Sequence, residues 1–164
     1  MIMNRFKIFG LLLPLLLLSA GSQAAPLQST EVIPTGYGFT ELTSRLRQAI
    51  TDNKMGLVTQ ASASRGAASR GIKIPGNIVL GVYRNDFAVR MLKASVASGI
   101  EAPIRFYVTE NPDGTATLSY RTPSTVFVPY KNDDLDQMAR ELDIIFTRIA
   151  TQATRTGPQA PVRE

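Results

Sequence analysis

The chain contains no cysteine and no histidine, and these two absences exclude more functions than any residue present supports. Without cysteine there is no disulfide, no thiolate nucleophile and no Cys-ligated metal. Without histidine there is no Ser-His-Asp triad, no Cys-His pair and no imidazole-ligated metal centre, which removes much of secreted hydrolase chemistry. Any catalysis is left to carboxylates, lysine, tyrosine and arginine. There is no phosphate loop ending in Gly-Lys-Ser/Thr and no twelve-residue calcium loop built around a glycine. Neither a metal nor a cofactor is expected.

Long apolar runs are also scarce. The longest, Ile8 to Leu18, follows Arg5 and Lys7 and leads into small residues from Ser19 onward. It falls short of the ~20 apolar residues that a spanning helix needs, and its three-part layout is that of a secretory signal. Ser22 and Ala24 supply the small side chains three and one before the cut, so residues 1–24 read as a signal peptide cleaved between Ala24 and Ala25. A periplasmic or secreted domain is expected, with no stable membrane anchor after cleavage. The formal charge of +5 includes two cations from the signal, leaving 16 basic against 13 acidic residues in the mature chain, or +3. This excess is spread along the sequence, so a nucleic-acid partner is not expected. The mature length suits one domain resting on its own core.

Residues 25–153 carry alternating strand and helix patterns. Thr30 to Ile33 reads as an edge strand beside Pro34. A helix follows from an N-cap at Thr40, with Phe39, Leu42, Leu46, Ala49 and Ile50 on one face and a left-handed stop at Gly56. Leu57 to Gln60 is a second strand. The echo Ala63-Ser64-Arg65-Gly66 and Ala68-Ser69-Arg70-Gly71 reads first as a short Ala-rich helix and second as a backbone cradle for an anion. Ile78 to Tyr83 is apolar at successive positions, as in a strand buried on both faces, and Gly81 within it marks a bulge or a close approach. The next helix begins at Asn85 or Asp86, with Phe87, Ala88, Met91, Leu92 and Val96 inward, and stops at Gly99. Ile104 to Val108 and Thr115 to Tyr120 alternate about Asn111-Pro112-Asp113-Gly114, a hairpin. An irregular connection between Pro123 and Pro129 precedes a last helix from Asn132 or Asp133, and residues 154–164 read as a loose tail. The order implies an α+β fold: a single compact domain with a largely antiparallel sheet of four to five strands and three to four helices packed on it.

The residues most suggestive of chemistry are Tyr83, Arg84 and Asn85, where a buried strand meets a helix N-terminus. Free backbone N–H groups, a positive dipole end and a guanidinium suit a carboxylate or phosphate there. Arg105 and Tyr107 share one strand face and join this candidate binding set if that face is open. The competing reading is local: Asp86 caps its helix and pairs with Arg90 at the i, i+4 spacing, and Arg105 and Tyr107 are solvated. Glu101 and Glu110 are the natural acid–base candidates, yet about nine extended residues hold them roughly 30 Å apart. Asp133, Asp134, Asp136 and Asp143 fit a solvated helix face whose N-terminal end favours acids.

Gly71, Asn85 with Ala88, Met91-Leu92, Ala102-Pro103 before the strand, Asp113-Gly114 and Leu118-Ser119-Tyr120 running to Pro123 together resemble the domain of unknown function 302 family, over about residues 56–130. The resemblance implies one α+β domain with helices on a largely antiparallel sheet and implies no established reaction. Many relatives have proline where Asp86 stands, some have a cysteine near the strand end, and some carry Asp-His where this chain has Ser62-Ala63. No thiol, imidazole or metal role therefore carries over. Three functions follow: an exported non-enzymatic domain binding a small anionic ligand or a protein, a second copy of itself included; a histidine-free enzyme using Tyr, Arg and carboxylates; or a structural protein of the cell envelope.

Overall fold

The segments with period-two patterns lie side by side in a computed structural model of the chain, which describes residues 30–155. The expected signal, the Ala24–Ala25 cut and residues 156–164 of the tail lie outside the described residues. In chain order the elements are β1 (Thr30–Gly38), α1 (Phe39–Asp52), β2 (Gly56–Ala61), α2 (Ala63–Ala68), β3 (Asn77–Tyr83), α3 (Asn85–Ala94), a 3-10 turn (Val96–Glu101), β4 (Ile104–Glu110), β5 (Thr115–Arg121), α4 (Pro123–Phe127), a 3-10 turn (Val128–Tyr130) and α5 (Asp133–Thr154). The strands form one sheet in the order β1-β5-β4-β3-β2. Every neighbouring pair is antiparallel. The α+β architecture read from the sequence is the observed one.

Period two sorts the strands into two faces. Leu80, Phe106 and Leu118 turn inward and are fully buried, as are Leu42, Leu46 and Ile50 of α1 and Leu135, Phe146 and Ile149 of α5. Phe106 stacks on Phe146 with ring centroids 4.6 Å apart and meets Tyr120 at 5.2 Å. The inner face therefore closes on aromatic rings as well as aliphatic chains, an arrangement worth about 0.5–1.5 kcal/mol per ring pair beyond area burial. On the outer face the register lines up Val32, Ser119, Tyr107, Val79 and Ala61 across all five strands. Val32 and Tyr107 stay half exposed there. β3 is thus covered fully on its helix side and only in part on the other.

Gly81 is where β3 admits its neighbours. A Cβ at this position would lie 2.8 Å from Pro103 Cγ and would collide with Thr59 Oγ1. The bulge falls on the partner strand, between Leu57 and Thr59.

Several boundaries differ from the sequence reading. α1 begins one residue before Thr40, with Gly38 as its N-cap, and its left-handed terminus is Lys54 at φ 58°; Gly56 opens β2 instead. α3 stops at Ala94, whose carbonyl accepts a 3.1 Å hydrogen bond from the Asn132 side chain. Val96 therefore lies beyond the helix and is 80 % exposed, and Leu92 is half exposed. Pro123 opens the short helix α4, where its missing N–H costs nothing. Asp143 of α5 accepts from the Ser124 N–H at 2.8 Å, so the connection expected to be irregular is helical. α5 keeps its period through Thr154, and Arg45 of α1 closes its end by donating to the carbonyls of Ala153 (2.8 Å) and Arg155 (2.6 Å). No helix among the described residues is long and apolar enough to cross a membrane.

Candidate functional site

The junction of β3 and α3 holds Arg84 as the N-cap residue, and the anion at that helix end is the protein's own. Asp86 accepts from Arg84 at 2.7 Å (Nε) and 3.0 Å (Nη2). This two-point contact, more than the backbone N–H groups of Asp86 and Phe87, draws the Asp86 carboxyl below its ordinary value. The expected i, i+4 pair of Asp86 with Arg90 does not form. Asp86 is already taken by Arg84, and Arg90 reaches across to α5, donating twice to Glu141 at 2.7 Å. That contact in turn lowers the Glu141 pKa. Both guanidiniums lie over the Phe87 ring, Arg84 at 4.3 Å and Arg90 at 5.4 Å from its centroid. Tyr83 and Arg84 border a cavity of about 30 Å³ among Met55, Phe87 and Met91, room for about one water molecule. Asn85 does not line it.

Arg105 and Tyr107 open elsewhere. The Asn111–Gly114 turn closes with Gly114 N–H on the Asn111 carbonyl at 3.0 Å and Asn111 N–H on Thr115 at 2.8 Å, and Gly114 takes φ 84°, which favours glycine. This turn fixes the register that sets Phe106 opposite Tyr120 and Tyr107 opposite Ser119. Carried one step past its last paired residues, Phe106 and Tyr120, the same register sets Arg105 against Arg121 on the outer face, where Arg121 pairs with Thr30 and Arg105 with Gly81. Both arginines line a groove of about 190 Å³ with Tyr107, Ser119, Thr30 and Glu101. Among the described residues neither guanidinium has a hydrogen bond or an ion pair. Like charges placed directly across a ladder destabilise it.

Glu101 enters this groove from the 3-10 turn before β4, where it accepts a 3.0 Å hydrogen bond from the Tyr130 hydroxyl. Burial first, and the Glu101 carboxylate second, push the Tyr130 hydroxyl above its usual range. Glu110, at the far end of β4, accepts from the Gly76 N–H at 2.6 Å. The two glutamates thus serve different places and form no acid–base pair. Among the described residues no three acidic side chains converge as metal ligands.

The five residues of the candidate set are therefore divided. Tyr83 and Arg84 border the small apolar cavity, and Arg105 and Tyr107 line the open groove. Arg121 and Glu101 were missed as partners. The signal for Arg121 was available, because counting residue for residue back from the Asn111–Gly114 turn sets it against Arg105. Nothing local to Glu101 shows that its turn folds back over the start of β4.

Comparisons with known proteins agree with this fold. None of the curated proteins matches the chain. The crystal structure of an uncharacterized conserved DUF302 protein from Bacillus stearothermophilus is similar with a TM-score of 0.67 at 18% identity, covering 79% of this chain and 100% of that one. The family model described as "Domain of unknown function DUF302" matches residues 31–153, well beyond the segment that carries the resemblance in the sequence. It takes in nearly all of β1, α1 and α5, and with them the five-stranded sheet, and on that match the chain belongs to the DUF302 family.

Proposed function

We propose that this domain binds a small anion outside the cytoplasm, at the end of the open sheet face where Arg105 and Arg121 meet. The observation that carries the reading is the pair itself. Among the described residues the two guanidiniums share one groove with no counter-charge bonded to them, whereas Arg84 and Arg90 are each held by a carboxylate in two-point contact. An anion between Arg105 and Arg121 relieves their repulsion and gains charge-assisted hydrogen bonds. Tyr107 and Ser119 border the same space with a ring and a hydroxyl. The signal-like residues 1–24 support a place of action in the periplasm or beyond. Binding is favoured over catalysis because Glu101 and Glu110 are apart and the Tyr130 hydroxyl is shifted away from easy ionisation.

Mass spectrometry of the small molecules carried by the purified protein tests this reading. The wild type is expected to yield an anionic species that falls at least tenfold in the Arg105→Ala/Arg121→Ala variant. Both side chains are exposed, so the variant should stay within about 0.5 kcal/mol of the parent. Recovery of nothing, or of the same species from both proteins, would count against the proposal.

A further inference from the structure

The groove holds charges of both signs and keeps them apart. Arg105 and Arg121 lie on the strands, while Glu101 faces the same 190 Å³ space from the turn before β4. Glu101 lies beyond 4 Å from either guanidinium, since the ion pairs among the described residues are Arg84–Asp86 and Arg90–Glu141. One of its oxygens, Oε1, is engaged by the Tyr130 hydroxyl, and Oε2 has no hydrogen bond among the described residues. A groove meant for an anion alone gains nothing from a carboxylate in its wall, because like charge disfavours the ligand. We infer, resting on the anion-binding reading above, that the ligand is a small zwitterion of the amino-acid type. Its carboxylate bridges Arg105 and Arg121, and its ammonium group donates to Glu101.

Size and lining agree with this class. At about 30 Å³ per water-sized group, the groove accommodates roughly six such groups. Ile104, Val126 and the Tyr107 ring give it an apolar side for a short side chain. The Tyr130 hydroxyl holds Glu101 in place from outside the groove, which makes Tyr130 a positioning residue.

Calorimetric titration of the purified protein with L-valine, 3-methylbutanoate and 2-methylpropylamine separates the parts. These three probes share a skeleton and carry both charges, the carboxylate alone and the ammonium alone. The wild type is expected to bind L-valine at least tenfold more tightly than 3-methylbutanoate. Glu101→Gln should reduce that preference to within about threefold by weakening L-valine, with 3-methylbutanoate bound at least as tightly as by the wild type once the like charge is gone, and Arg105→Ala/Arg121→Ala should lose both ligands. Equal binding of L-valine and 3-methylbutanoate by the wild type, both lost in the arginine variant, would overturn the zwitterion and leave the anion site standing. Equal loss of both ligands in Glu101→Gln would assign Glu101 a structural role and also overturn it. Absence of binding by all three probes would remove both readings.

Discussion

Arg84, Arg90, Arg105 and Arg121 carry the same guanidinium and meet different neighbours, and position in the ladder or helix decides which. Arg84 precedes α3 by one residue and finds Asp86 within the first turn; Arg90 lies a turn later, facing Glu141 of α5. The Glu141 pKa is lowered in the folded state, so its pairing stabilises the fold above the ordinary carboxylate range, and that contribution is lost as pH falls through the lowered folded value. Glu141→Gln is therefore expected to flatten the acid side of the stability profile between about pH 5 and pH 2, around the usual Glu value of ~4.3. Thermal unfolding of both proteins across that range reads the difference. Both side chains are more than two-fifths exposed, so the change should be small, and an identical slope in the variant would contradict the assignment.

At the scale of elements, Gly81 and Arg45 each decide how two segments meet. Gly81→Val places branched carbons where Thr59 and Pro103 already lie, so a loss of about 1–3 kcal/mol or more is expected in urea unfolding, with Gly81→Ala intermediate. Arg45→Met keeps most of the aliphatic stem and removes the donors that close α5. Amide exchange in its last turn, near Ala153, should then accelerate while exchange around Phe146 is unchanged. The elements were largely legible because periodicity is local: the inward rows at Phe106 and Leu118 and the stripe from Leu135 to Ile149 follow from spacing alone. Termini were less legible, because distant groups set them. Asn132 ends α3 at Ala94, and Asp143 holds α4. Of the candidate site, Arg105 and Tyr107 could be read from alternation. Arg121 required carrying the register across the hairpin, and Glu101 required the tertiary fold.

At the scale of the whole fold, α1 and α5 fill one sheet face and the other carries no helix among the described residues; the end of that second face brings together β1, β4, β5 and the turn carrying Glu101. The same sequence carries a signal-like start, and intact-mass analysis of protein expressed from the full sequence in a bacterium should find it beginning at Ala25; a chain beginning at Met1 would contradict export by cleavage. We propose an anion site at Arg105 and Arg121 and none at Arg84. NMR of the arginine Nε–Hε groups during titration with L-valine tests it most directly. Saturable shifts at Arg105 and Arg121, with Arg84 and Arg90 still, are the predicted result. Shifts confined to Arg84, or none at any of the four, would contradict it.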